Sequence, residues 1–324
     1  MYCTGTGTPA VFLIPGAGDY SFDWSLVQAS VSRVTRTCSF DRAGYAWSEL
    51  GPNPRTMLQE ASEIHTLLAR AGVDKPVVLV GHSIGGLVAR VVAREFPGDV
   101  AGLVLVDPTH EDTRLSYQGR VVRVRDDAKG RVIPKALTHL DRAPSATAAQ
   151  LKEFTEFQHM VGAPKIQPPY DRLDSTARSL RMWAERDSVK RPAIVEDFWP
   201  EELQQLYQDR ATNPRPLGDK PLVILIAGRD EPADPGMSAQ QREEMRVLGE
   251  EKRTQKRDLA LLSSNSKVVV DSASGHHIHL EDPSLVIRAI ADEVRGIRAA
   301  SRAIPATRSS IRGVLPSTRR RYRA

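Results

Sequence analysis

Val77-Val-Leu-Val-Gly81-His82-Ser83-Ile84-Gly85-Gly86-Leu87-Val88-Ala89-Arg90 passes from a continuous apolar run, through G-x-S-x-G, into a helical pattern. A sharp strand-to-helix turn forces the central serine into strained backbone geometry, and glycines two residues before and after it let the neighbouring backbones come close. The Ser83 hydroxyl then projects from the C-terminal edge of a sheet. The first amides of the following helix point to the same place, so the Ile84 N–H is a candidate donor to charge developing on an acyl oxygen.

Other apolar runs flank this stretch: Val11–Ile14, Thr37–Phe40, Leu103–Val106, Leu222–Ala227 and Lys267–Val270. Near-continuous apolarity marks strands buried on both faces, as in a mostly parallel sheet covered by helices. Helical spacing falls between them. Thr56–Ala71 places Met57, Leu58, Ala61, Ile64, Leu67 and Leu68 on one face before Gly72, Ile84–Phe96 stops at Pro97-Gly98, and Ser284–Arg295 follows Pro283. The fold class is therefore α/β. Between Pro108 and Gly218 the alternation breaks, and the amphipathic pieces Leu151–Val161, Leu173–Ala184 and Glu201–Tyr207 predict a mainly helical cap. The expected organisation is a core of residues 1–107 and 219–296, a cap of 108–218 and a disordered Arg-rich tail of 297–324.

The composition, 40% hydrophobic and 26% charged over 324 residues, excludes a fibrous or wholly disordered chain. No apolar run reaches the roughly 18–20 residues of a spanning helix, and Met1–Thr8 lacks a signal-peptide pattern, so a cytoplasmic chain is expected. The net charge of +5 comes from the tail. Ile297–Ala324 carries eight arginines and no acid, which leaves the body slightly acidic. Such a block reads first as a solvated appendage, with binding to nucleic acid or anionic membrane as a further reading. Two cysteines, Cys3 and Cys38, can form neither a metal site nor a disulfide framework beyond a single bridge.

Three further segments fall in the order that a serine at a nucleophile elbow needs. Ile14-Pro15-Gly16-Ala17-Gly18 follows the first apolar run, Asp41-Arg42-Ala43-Gly44-Tyr45-Ala46-Trp47-Ser48 follows the next, and Ser274-Gly275-His276-His277-Ile278-His279-Leu280-Glu281-Asp282-Pro283 precedes the last helix. On these motifs Pro9–Arg298 resembles the α/β-hydrolase superfamily, specifically its capped serine esterase and lipase-like members. The resemblance implies that Ile14–Gly18 is the oxyanion loop, with Pro-Gly where His-Gly is usual, and that Ala17 N–H and Ile84 N–H form the oxyanion hole. It gives the D-x-x-G-x-x-x-S loop a shaping role beneath the site. His276 stands at the family's histidine position, with His277 and His279 as neighbours rather than metal ligands, and His82 is structural.

A histidine that must hold one tautomer and become cationic needs a carboxylate on its far nitrogen. Asp230, after Leu222–Ala227, stands where the superfamily most often places its acid, and the implied triad is Ser83, Asp230 and His276. Asp107, after Leu103–Val106, is the rival, and Glu231 and Asp234 are weaker options on the Asp230 loop. The chain also resembles a family member shortened at its N-terminus, whose first strand fragment lies beside the strand holding Cys38; a Cys3–Cys38 disulfide is implied on that basis.

The activity implied is hydrolysis of a carboxylic ester of a small or medium acyl substrate through an acyl-enzyme, with no metal or organic cofactor. A thioesterase, lactonase, acyltransferase or C–C hydrolase on the same triad, and a non-catalytic ligand binder on the same scaffold, stay open. The expected partner is a small-molecule acyl ester. Cap aromatics Tyr117, Phe154, Phe157, Tyr170, Trp183, Phe198, Trp199 and Tyr207 read either as pocket lining or as the cap's own core.

Overall fold

The computed structural model describes residues 1–117, 120–137, 148, 152, 156, 164–186, 199–230 and 236–303. Strands β1 (Tyr2–Thr4), β2 (Val11–Ile14), β3 (Thr37–Ser39), β4 (Val77–His82) and β5 (Val100–Val106) belong to one sheet. A hairpin of β6 (Arg114–Tyr117) and β7 (Arg120–Arg123) stands apart, and β8 (Leu222–Ala227) and β9 (Ser266–Asp271) return to the sheet. The order is β1-β3-β2-β4-β5-β8-β9, parallel throughout except for β1, which runs antiparallel to β3.

The helices are α1 (Ser25–Val31), α2 (Met57–Arg70), α3 (Ile84–Glu95), α4 (Ser175–Ala184), α5 (Trp199–Thr212), α6 (Ala239–Asp258), α7 (Ile278–Glu281) and α8 (Pro283–Ala303). Successive strand side chains point to opposite faces. Phe12, Leu79, Leu103 and Ile224 therefore pack on one side with Ile64 and Leu68 of α2 and Leu87 and Val91 of α3. Val11, Leu13, Val78, Val80 and Leu225 pack on the other with Val27 of α1 and Val286, Ile290 and Val294 of α8. Two apolar layers fix the sheet, and its central strands reach water at neither face. Their C-terminal ends can then carry polar side chains without disturbing the core.

The structure adds to one expectation and corrects another. The segment read as a helical cap opens with the β6–β7 hairpin, which pairs Tyr117 with Arg120, before α4 and α5 follow. The signal for it is the alternation of Arg114-Leu-Ser-Tyr117 and the β-branched pair Val121-Val122 on either side of Gln118-Gly119, overshadowed by the helical spacing of its neighbours. The tail does not begin at 297. Helix α8 runs to Ala303 because its apolar stripe continues to Ile297, and Arg298 donates to the carbonyls of Thr8 at 2.7 Å and Val34 at 3.2 Å. The expected helical piece 151–161, apart from residues 152 and 156, and the tail from 304 onward lie outside the described residues, as do Phe154, Phe157 and Phe198.

Cys3 faces Cys38 across the β1–β3 pair, and the two are joined by a disulfide. Among the described residues no helix is long and apolar enough to cross a membrane.

Candidate active site

Ser83 occupies the turn between β4 and α3 with φ 53° and ψ −120°. A non-glycine residue held there is strained, and persists only where its surroundings over-determine it. They do so here. A Cβ added at Gly81 would lie 2.3 Å from the Gly85 carbonyl oxygen, and one at Gly85 would lie 2.6 Å from that of Ile14. Both glycines are thus required by contact. The Ser83 N–H donates to Val106 O at 3.1 Å and the Ser83 carbonyl accepts from Thr109 N–H at 3.0 Å, tying the elbow to the segment that follows β5.

That segment carries Asp107, itself at φ 42°. Asp107 Oδ2 lies 2.6 Å from His276 Nδ1, and its Oδ1 accepts the Ala227 N–H at 2.9 Å. Lys256 of α6 donates to the same Oδ2 at 2.6 Å. Burial of Asp107 works against ionisation, but the Lys256 ammonium and the His276 hydrogen bond outweigh it and hold the carboxyl well below the usual range. Asp107 is 2% exposed, so this anion is stabilised by its three partners and hardly at all by water.

Asp230 is not on His276. It is exposed and paired with Arg253 of α6. The bare Cα of Gly249 leaves room for that pairing, since a Cβ there would lie 2.9 Å from Asp230 Oδ1. Of the two strand-end carboxylates, the structure brings Asp107 to the histidine and takes Asp230 to the opposite helix. Glu231 and Asp234 lie outside the described residues.

Ser83, Asp107 and His276 open onto one cavity of about 550 Å³, walled also by Pro108, Thr109, Trp199, Ala227, Arg229 and the inner face of α6. Gly16 of the loop after β2 touches this elbow closely, since a Cβ on it would lie 3.2 Å from Ser83 Cβ. Arg42 supports the loop from below by donating to Gly16 O at 3.0 Å and to Tyr45 Oη at 2.9 Å. Asp41 accepts from the Ser21 N–H at 2.8 Å and the Ser21 hydroxyl at 3.0 Å. The shaping role expected of the Asp41–Ser48 loop is thus a set of hydrogen bonds. Ala17 follows Gly16 on the loop, and Ile84 is buried at the start of α3.

Behind the elbow sits a polar network that sequence reasoning missed. His82 Nδ1 lies 2.8 Å from buried Asp19 Oδ2, and His82 Nε2 lies 3.1 Å from the His276 carbonyl, which locks the histidine loop to the elbow. Tyr170 donates its hydroxyl to Asp19 Oδ1 at 2.6 Å and lies 2.8 Å from His277 Nε2, while Arg181 of α4 pairs with Asp23 at 2.5 Å. Burial and the neighbouring His82 push His277 down to about 3. Asp19, His82 and His277 offer ligand atoms within 4.8 Å of one another. Each of these side chains is already engaged in a hydrogen bond, so the cluster fits an anchor tying Tyr170 and the histidine loop to the elbow better than a metal centre. Asp19 carries the one sequence hint, an acid two residues beyond Ala17 on the loop after β2. Of the other aromatics expected in the cap, Trp183 lies against Trp47 with ring centroids 5.2 Å apart and Tyr207 lies under Arg125.

Comparison with known proteins agrees with this fold. Residues 11–289 match the Alpha/beta hydrolase family. The Hormonema carpetanum protein named "Probable transporter efuK" is 28% identical over 182 residues, 48% of this chain and 26% of its own length. YqjL of Bacillus subtilis is 30% identical over 108 residues, 33% of this chain and 43% of its own. The chain thus spans less than half the length of these relatives. Among solved structures, an esterase from Thermogutta terrifontis superposes with a TM-score of 0.57 at 20% identity, covering 91% of this chain and 92% of that one, a likeness of fold. With the match running from β2 into α8, the chain belongs to the alpha/beta hydrolase family.

Proposed function

We propose that the protein is a carboxylic-ester hydrolase working through Ser83, His276 and Asp107. The observation that carries this reading is the meeting of a strained serine and an Asp107-bound imidazole on one cavity. His276 Nε2 takes the Ser83 proton as Oγ attacks the ester carbonyl, and the Ala17 and Ile84 amides receive the oxyanion. Collapse of the tetrahedral species breaks the bond to the alcohol, which leaves with the proton from His276 and gives an acyl-serine. Water, deprotonated by the same imidazole, then releases the carboxylic acid and restores Ser83. Asp107 holds the Nδ1 proton throughout and stabilises the imidazolium, and the chemistry calls on no metal or organic cofactor.

The test is turnover of 4-nitrophenyl esters of graded acyl length by the wild type and by Ser83→Ala, with circular dichroism to establish equal folding. The expected result is Ser83-dependent release of nitrophenol. Equal turnover by both proteins overturns the reading.

A further inference from the structure

Helix α6 presents its charges asymmetrically to the cavity. At about 100° per residue, Arg242, Arg246, Lys252, Arg253 and Lys256 fall with the other cavity-lining residues of α6 in one half of the helix circumference. Glu243, Glu244, Glu250, Glu251 and Asp258 fall in the other half. Arg229, outside α6, also lines the cavity. Among the described residues that line it, six side chains are Lys or Arg, against the two carboxylates Asp107 and Asp230.

None of these six cations is without a partner. Asp107 holds Lys256, Asp230 holds Arg253, Glu281 holds Arg229, and Glu243 and Glu250 share Arg246. Arg242 is held by a backbone carbonyl, that of Met237 at 2.5 Å. The committed acids split by location. Glu243, Glu250 and Glu281 are not among the described residues that line the cavity, so among those residues the wall presents more cations than carboxylates. A cleft lined by one sign of charge focuses its field inward and raises the local concentration of an oppositely charged ligand. With a rise of about 1.5 Å per residue, Arg253, Arg246 and Arg242 stand about 4, 15 and 21 Å along the axis from Lys256, a ladder leading to the Asp107–His276 pair.

From this segregation we propose that α6 makes the cavity selective for esters that carry a carboxylate at a distance from the scissile carbonyl, with Arg242 and Arg246 as specificity residues. The inference rests on the hydrolase reading above. It deepens that reading by naming a substrate class.

The experiment compares matched pairs of esters: the 4-nitrophenyl monoester of suberic acid against 4-nitrophenyl octanoate, and 4-octanoyloxybenzoate against phenyl octanoate. At low salt kcat/KM is expected to favour at least one anionic ester by about tenfold. The preference should fall toward unity in 0.5 M NaCl and shrink several-fold in Arg242→Gln/Arg246→Gln. In parallel, suberate and octanoate are titrated calorimetrically into folded Ser83→Ala, where suberate is expected to bind more tightly and with salt dependence. No preference in either pair, together with no tighter binding of suberate, overturns the proposal even if the neutral esters are hydrolysed in a Ser83-dependent manner. Tighter suberate binding without turnover of any ester supports the anion site and counts against the hydrolytic reading instead.

Discussion

His276 Nδ1 lies 2.6 Å from Asp107 Oδ2, while Asp230, the strand-end acid at the position more usual for this family, is paired with Arg253. The two carboxylates are distinguishable by substitution. Asp107→Asn keeps a residue tolerant of positive φ but removes the acceptor that fixes the imidazole tautomer, so kcat is expected to fall by about 10³–10⁴. Asp230→Asn is expected to cost less than about tenfold. Steady-state kinetics on a 4-nitrophenyl ester reads both, and a larger loss at Asp230 contradicts the assignment.

Close contact at the elbow predicts intolerance of a single methyl group. In Gly85→Ala the new Cβ meets the backbone oxygens of Ile14 at 2.6 Å and Pro15 at 2.7 Å, atoms that move only if β2 and the loop after it move. A loss of about 1–3 kcal/mol in urea unfolding is expected, with activity falling further than stability explains. Gly98→Ala, whose Cβ meets nothing within 4 Å, is the control.

Glu293 of α8 is 8% exposed, faces Gly102 of β5, and its Oε1 has no hydrogen-bond partner among the described residues. Burial pushes its carboxyl up to about 7. A carboxyl whose folded pKa exceeds its unfolded one favours the fold while protonated, so this contribution is present below about pH 4.5 and is lost as pH rises toward 7. Glu293→Gln is therefore expected to match the wild type near pH 4.5 and to exceed it by about 1–3 kcal/mol at pH 8, read as the difference in Tm across pH. Equal pH dependence of the two proteins contradicts this.

The Cys3–Cys38 bridge spans 35 positions, for which the chain-entropy account gives about 3–4 kcal/mol. Reductant is expected to lower Tm and to raise the intact mass by two hydrogens. Two free thiols in freshly isolated protein contradict the pairing.

Much of this architecture is legible in the sequence because a strand buried on both faces must be continuously apolar. Val11–Ile14 and Leu222–Ala227 match β2 and β8 end to end. The elbow was equally plain, since no other residues fit the spacing at Gly81, Ser83 and Gly85. The acid was not. Asp107 and Asp230 both follow apolar strands, and what separates them is a partner supplied from far along the chain, Arg253 for one and His276 for the other. No local pattern encodes that choice. Lys256 and the Asp19–His82–Tyr170 network escaped notice for the same reason, being contacts between elements whose sequences look like ordinary polar surface. Helix α8 outran its expected end because a run of arginines resembles a solvated tail until Arg298 is seen reaching the Thr8 and Val34 carbonyls.

The most direct test of the central claim is covalent trapping. Incubation with an alkyl fluorophosphonate, followed by peptide mass spectrometry, is expected to place a single phosphonyl group on the peptide containing Ser83, with labelling abolished in Ser83→Ala and slowed at least a hundredfold in His276→Ala. Labelling at another serine, or ester turnover by a protein whose Ser83 stays unmodified, would contradict the account.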